Sequence, residues 1–594
     1  MYWSRTGNGS QLLAIAVLCI LWWIGGWLIA THVFRLRSKE RLLVGLALGL
    51  SLFIVFSALL TYVLEIPAAF WISSILILAL GLLSSSRSRK PIVSLKDFKS
   101  WPLLLILGIL ILIFASIHRG LAIFDDYHNL PLISVMATGD IPPHYYLNPD
   151  LRFAYHFGLH LFAATLMRVG GFFPWSAFDL VNAFAIALSL LLGFLYFQRR
   201  TRSALAASLG TLALAFAGGA LWLLLMMPVP WLIHLSEKTE LIGTALATGP
   251  DLYTNLSLPW IIEGGGPMPY PFAYVSGVMS PLVMSITGRG AFPLMVPLLM
   301  LLLVRRRWDT FSGLIFAAVF ASLALTAETV FILLFVGIAA AFLIAIWQRS
   351  GGLNRRQWVV LAAWTLISAA LLAAVVGGVF TEIIRSTLNP GISAGVGFDA
   401  FTFNWPPAQP SVHFGAMSFF DPDHLVLILV ELGAVILLAP SVTVWSWRRL
   451  KRGDWFSGGM GITALLAFCI PLVFHYAILR DTVRITETAL RIWFVLGFPI
   501  IWAIIRDSKN SIRALAGVWF GILTLGGVVM LSISMISIPN PVQSYYLGGQ
   551  DARLSRAHWD QLEEDAQILD RFPFRSVTLF GRAAYAHQGF REPL

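Results

Sequence analysis

Apolar runs of about 20 residues recur along nearly the whole chain, each long enough to cross roughly 30 Å of hydrocarbon. They fall near 11–34, 42–63, 67–84, 101–118, 176–197, 203–226, 290–304, 311–326, 330–347, 358–381, 425–446, 457–477, 489–505 and 514–536. The runs are continuous rather than alternating, which argues for helices and against the strands of a membrane barrel. Charged residues make up only 12% of the chain, about half the share of a soluble domain. The expectation is an all-α polytopic membrane protein, a helical bundle of about fourteen transmembrane helices.

The net charge of +11 sits in short basic clusters between these runs, at 35–41, 87–99, 199–202, 305–307, 349–356, 448–452 and 506–513. Clusters of this kind set topology rather than bind nucleic acid. With about fourteen crossings they all fall on one side, provided that the stretch 156–169 lies along the membrane as an interfacial helix. The first run reads as a retained helix with its N-terminus outside, because its positive charge follows it. Residues 1–538 then form the transmembrane domain. Its outer side receives the loop 119–175, further loops at 227–289 and 382–424, a short turn holding Glu328, and the turn from Arg480 to Arg484. The tail 539–594 is soluble in composition, with an amphipathic stretch at 555–569 and a strand expected at 575–580. It is expected to lie on the outer side and pack on the loops. Cys19 and Cys469 lie inside apolar runs and suggest neither a disulfide nor thiol chemistry.

Polar chemistry concentrates in the first outer loop. Phe124-Asp-Asp-Tyr-His-Asn-Leu-Pro131 is followed by Gly139-Asp-Ile-Pro-Pro-His-Tyr-Tyr146 and Phe153-Ala-Tyr-His-Phe-Gly-Leu-His160. Asp125 and Asp126 stand at the outer end of a membrane helix, where a carboxylate can take a proton from a hydroxyl nucleophile. The same pair also suits the N-terminus of the next helix, expected over 127–138. His128, His144, Tyr145, Tyr155 and His156 are candidate substrate-binding positions. The histidine spacings match no standard zinc pattern, and Phe157 stands where a zinc protease would need glutamate.

Arg480, Asp481 and Arg484, with His475 before them, form a second cluster. Two guanidiniums one helical turn apart suit a phosphate, and they equally suit snorkelling at the interface with Asp481 or Glu487 as partner. Glu328 interrupts an almost unbroken apolar stretch, so it serves either a site or a turn. Neither side of the membrane carries a Walker A or similar phosphate cradle, which disfavours a nucleotide-using enzyme.

The acidic pair in Phe124-Asp-Asp-Tyr-His128, then Gly139-Asp-Ile-Pro-Pro143 and Tyr155-His-Phe-Gly158, resembles the GT-C superfamily of membrane glycosyltransferases. The closest flavour is that of bacterial multi-pass proteins with GT-C-like cores. The resemblance covers the loop architecture of about the first 200 residues. There are two departures: the acidic loop follows the fourth crossing rather than the first, and no Trp-Trp-Asp motif is present.

The resemblance implies a polyprenyl-phosphate-linked sugar donor and an inverting transfer to a hydroxyl acceptor on a glycan, lipid or protein. Asp125 or Asp126 would act as base, and Arg480, Arg484, His128 or His475 would meet the leaving phosphate. It implies no required cofactor and leaves a divalent metal open. The expected location is the cell's inner or plasma membrane, with an extracytoplasmic site. The alternative is a transporter or flippase of a lipid-linked or polar substrate.

Overall fold

The computed structural model describes residues 8–86, 100–120, 126–145, 148–239, 241, 251–262, 266–275, 277–282, 292–304, 309–348, 355–389, 401–476, 479–536, 538, 549–558, 561–563, 566–568 and 573–582. Ten helices among them are long and apolar enough to cross a membrane. Helices Val359–Val375 and Gly378–Leu388 meet at 80° and raise the number to eleven if they count as one span. The chain is an all-α, multi-pass integral membrane protein.

Three expected runs form shorter elements. The run 203–226 becomes helix Ala204–Phe216 and a 3-10 turn, Leu221–Met226. The runs at 290–304 and 311–326 become Phe292–Leu303 and Thr310–Thr326. Each is shorter than the roughly 20 residues of a straight span. The expected set of about fourteen long helices is therefore ten or eleven long ones and three short apolar ones.

The first two helices, Gly9–His32 and Ser38–Leu60, cross at backbone contact. A Cβ added at Gly45 would stand 2.7 Å from Trp27 N, and one at Gly26 would stand 2.6 Å from Gly49 N. Small residues at such crossings let helices gain close van der Waals packing where lipid supplies no hydrophobic drive.

Helix Ser38–Leu60 also fixes the two ends of the bundle. At its start, Glu40 pairs with Arg199, whose Nε and Nη2 donate to the carboxylate at 2.9 and 2.6 Å. Arg199 Nη1 also donates to Leu302 O at 2.7 Å. Beyond its other end, Tyr62 hydrogen-bonds with Arg152. At 1.5 Å per residue the two ends lie about 35 Å apart, so the Glu40–Arg199 pair and the Arg152 loop occupy opposite ends.

The stretch 156–169 is helical, over Gly158–Gly170, but it is not an interfacial helix with a wet face. Nearly all of it is buried, with Arg168 as the exception. Phe162 packs edge-on against Trp22 at 6.2 Å and Phe53 at 6.3 Å, inside the crossing of the first two helices. Gly171, at φ 65°, ends the helix in the left-handed conformation. Pro174 then opens the long helix Pro174–Thr201. The loop is thereby anchored in the core.

The tail contradicts the strand expected at 575–580. Helix Pro573–Phe580 forms instead. A lone strand there would leave its backbone unpaired, whereas a helix satisfies its own. It docks on helix Asp126–Thr138: Ser134 Oγ donates to Thr578 O, and Val577 packs on Val135. Of the amphipathic stretch 555–569, residues 555–558 belong to helix Gly549–His558.

Replacing Gly45 with Val should separate the first two helices. The expected loss is about 1–3 kcal/mol, as for overpacked cores, read as a lower midpoint in thermal unfolding of the detergent-solubilised protein. An unchanged midpoint would show that this crossing is not tight.

Candidate functional site

At the end of the bundle opposite the Glu40–Arg199 pair, the chain leaves helix Trp101–Gly120 and re-enters as helix Asp126–Thr138. Asp125 lies outside the described residues, as do the side chains of Asp126, His128, Arg480 and Asp481. The backbone of Asp126 opens its helix. Three residues on, Asn129 is buried and its Oδ1 meets His160 Nε2 at 2.8 Å. Burial pushes His160 down to about 3, so its imidazole is neutral. A neutral His160 bonded to a carbonyl oxygen through Nε2 carries its proton there.

From His160 a run of stacked rings crosses the loop. Tyr155 meets His160 edge-on at 5.7 Å and lies flat on His156 at 4.0 Å. Phe153 stacks on Tyr155 at 5.1 Å, and Tyr145 on Phe153 at 5.4 Å. The short strand pair His144–Tyr145 and Asn148–Arg152 holds the far end of this run.

His156 Nδ1 lies 3.4 Å from Glu328 Oε2. Helix Thr310–Thr326 stops at Ala327, whose extended backbone (φ −166°) makes a one-residue break, and Glu328 opens the next helix, Glu328–Trp347. A carboxylate is favoured at a helix N-terminus, so Glu328 is both the turn and a partner of the loop. Arg484, in helix Leu479–Arg506, acts on the same carboxylate electrostatically. Three separate regions thus converge on Glu328.

Two features went unread in the sequence. Asp140 grips His144 twice: Oδ2 accepts the His144 backbone N–H at 2.8 Å, and Oδ1 lies 2.6 Å from Nδ1. That hydrogen bond raises the His144 pKa above its ordinary value. The i,i+4 spacing was the available signal. The second feature is Glu382, buried between Arg152 at 3.8 Å and Arg385 at 3.7 Å. His475 sits apart from these contacts, in a strand paired with Phe401–Phe403 opposite Thr402. Burial holds it below its ordinary pKa.

Helices Glu328–Trp347 and Leu479–Arg506 both run away from this polar end, and a narrow apolar crevice lies along them. Val330 and Leu334 line it from the first helix, Thr488, Arg491 and Val495 from the second, and Leu298 from Phe292–Leu303. Thr488 is one turn beyond Arg484, and Arg491 nearly another. Arg491 is paired with Glu487 at 3.0 Å. Among the described residues, no group of three or more His, Cys, Asp or Glu is arranged to hold a metal ion. No family model matches the chain, and no curated protein matches it in sequence.

His144 gives a pH signature. A pKa raised by Asp140 means that the pair stabilises the fold fully below the unfolded value near 6.5 and loses that contribution as pH rises through the folded value. A scan of the unfolding midpoint from about pH 6 to 9 should fall on the alkaline side in the wild type. Asp140→Asn should remove that component, and identical scans would refute the pairing.

Proposed function

We propose that this chain is a membrane glycosyltransferase of GT-C type. It moves a sugar from a polyprenyl-phosphate-linked donor to a hydroxyl acceptor with inversion, on the extracytoplasmic face. One observation supports the reading: the polar end around His156, Glu328 and Arg484 continues along two helices into an apolar crevice lined by Leu298, Val330, Leu334, Thr488, Arg491 and Val495. A ligand with an anionic head and a long isoprenoid tail has that pattern of polarity. Arg484 suits the phosphate, since a guanidinium offers a planar fork of donors. Tyr145 and Tyr155 are half-buried in the ring stack that leads to His156 beside Glu328, and aromatic rings of this kind suit a sugar.

The chemistry is a displacement. Asp125 or Asp126 accepts the acceptor's hydroxyl proton. The acceptor oxygen bonds to the anomeric carbon as the bond from that carbon to the phosphate oxygen breaks, and the polyprenyl phosphate leaves with the electron pair. Support for the acidic pair as base comes from its position. Asp126 opens the helix in which Asn129 reaches His160, and His160 leads through Tyr155 and His156 to Glu328. A transporter or flippase is the competing reading, favoured by spans whose helices are interrupted at Ala217 and Gly433.

The test uses the full chain in vesicles with a panel of radiolabelled polyprenyl-phosphate sugars and a hydroxyl acceptor. Formation of a new glycosidic bond supports the transferase, whereas movement of intact labelled lipid between leaflets supports the transporter. Replacing the catalytic Asp by Asn should lower kcat by about 10²–10⁴, the range for general-base loss. Arg484→Ala should weaken donor use by roughly tenfold or more, as expected for a charged hydrogen bond. Unchanged turnover in both Asp125→Asn and Asp126→Asn would remove the general-base role.

A further inference from the structure

Two helix ends far apart in the sequence bring their cations together around one indole ring. Helix Pro174–Thr201 ends in Arg199 and Arg200, with Arg202 at its cap. Helix Ala439–Lys451 ends in Arg448, Arg449 and Lys451, with Arg452 at its cap. The Arg200 guanidinium stands 5.6 Å from the centre of the Trp445 ring, and that of Arg449 stands 5.2 Å from the same ring. Arg200 also lies 5.7 Å from the ring of Tyr196, one turn back on its own helix, and hydrogen-bonds with that buried residue. Two rings from two helices thus hold its guanidinium in place. Its neighbour Arg199 is occupied by Glu40, so this surface lies at the end of the bundle opposite the polar site.

The charge on these two helix ends is one-sided. Arg200, Arg202, Arg448, Arg449, Lys451 and Arg452 are accompanied there by a single carboxylate, Asp454. That carboxylate is already shared: Oδ1 accepts the Ser457 backbone N–H at 3.1 Å, and Oδ2 reaches Arg449 only at 3.9 Å. Two guanidiniums gathered on one ring repel each other, and a common anion relieves that repulsion. A guanidinium lying on an aromatic face keeps its N–H edge for an oxyanion. Setting topology requires only that cations lie near the ends of spans. It does not require two distant helix ends to meet on one ring.

The side chains beside the cations indicate what kind of anion fits. Val444, Trp447 and Lys451 stand at i, i+3 and i+7 on one helix and share a face. Lys451 Nζ lies 5.4 Å from the Trp447 ring, in keeping with that face, and all three residues are exposed. Toward the helix end the face runs from apolar, through an interfacial aromatic, to a cation. A phospholipid presents its acyl chain, glycerol region and phosphate in the same order. A soluble phosphate would make no use of the apolar part.

We propose that this surface binds an anionic phospholipid, with the phosphate between Arg200 and Arg449 and an acyl chain along Val444 and Trp447. Trp445 sets the spacing of the two guanidiniums. The lipid lies in the leaflet opposite the polar site, and the assignment stands independently of the transferase reading.

The test mixes the full chain in detergent with equal amounts of dioleoyl phosphatidylglycerol and dioleoyl phosphatidylcholine and counts bound lipid by native mass spectrometry. Phosphatidylglycerol should be retained in preference. Arg200→Gln and Arg449→Gln should each weaken its apparent affinity roughly five-fold, as for one cation lost at a membrane surface. Arg200 is exposed and Arg449 half-exposed, so neither substitution opens the core. Trp445→Leu keeps every charge and should still weaken binding. Arg506→Gln, an exposed residue paired with Asp507, should leave it unchanged. Equal retention of the two lipids by the wild type would overturn the proposal. An undiminished preference in the Arg200→Gln, Arg449→Gln double variant would overturn it by placing the lipid elsewhere. An equal loss in Arg506→Gln would reduce the effect to diffuse attraction, and displacement by glycerol 3-phosphate would assign the surface to a soluble phosphate; either result overturns it.

Discussion

A carboxylate at the mouth of an apolar helix is stable only if it meets a cation or water, because lipid offers it neither. Glu328 is such a carboxylate, and its partners come from far away in the chain. His156 approaches it from the loop after the fourth long helix, and Arg484 from helix Leu479–Arg506. The rest of the polar end is arranged through that meeting point. The rings of Tyr145, Phe153 and Tyr155 stack up to His156, and Asn129 ties His160 to the helix that Asp126 opens. These contacts hold because the loop is anchored in the bundle by Phe162 between Trp22 and Phe53.

Below that point the same two helices change character. Along Glu328–Trp347 and Leu479–Arg506 the facing side chains become apolar, broken by Thr488 and Arg491. Arg491 is held by Glu487, and Glu487 in turn feels Glu431. Ionisable groups at membrane depth are costly and therefore informative. The bundle thus has a polar surface end and a separate buried polar junction, and Arg491 borders the crevice that leads from the first.

The architecture was largely legible, because a continuous apolar run has few folds open to it in lipid. The departures came where a run was interrupted. The stretch 203–226 reads as one span, but Gly218 and Gly219 let the backbone leave the helix and bond to Val278 and Val430. His156, Glu328 and Arg484 each stood out singly as charges out of keeping with their surroundings. Their convergence was not legible, since nothing local encodes a contact between residues so distant in sequence. Asp140 stood in the Gly139-Asp-Ile-Pro-Pro143 motif, and its i,i+4 spacing to His144 was the signal for the pair. Glu431 was hidden inside the apolar run 425–446, where one charge barely changes the hydropathy. The segment 575–580 read as a strand because Val577 and Leu579 alternate with polar residues. In the fold both are buried by a helix docked on helix Asp126–Thr138.

The central claim is that an anionic isoprenoid lipid lies with its head at Arg484 and its tail in the crevice below. A polyprenyl phosphate carrying a photoactivatable diazirine on its chain tests this directly, with the full protein in vesicles and labelled peptides read by mass spectrometry. The account predicts labelling at Leu298, Leu334 and Val495, competed by unlabelled polyprenyl phosphate and weakened by Arg484→Ala. Labelling spread over exposed apolar positions such as Leu112 and Leu343, and indifferent to competitor, would contradict it.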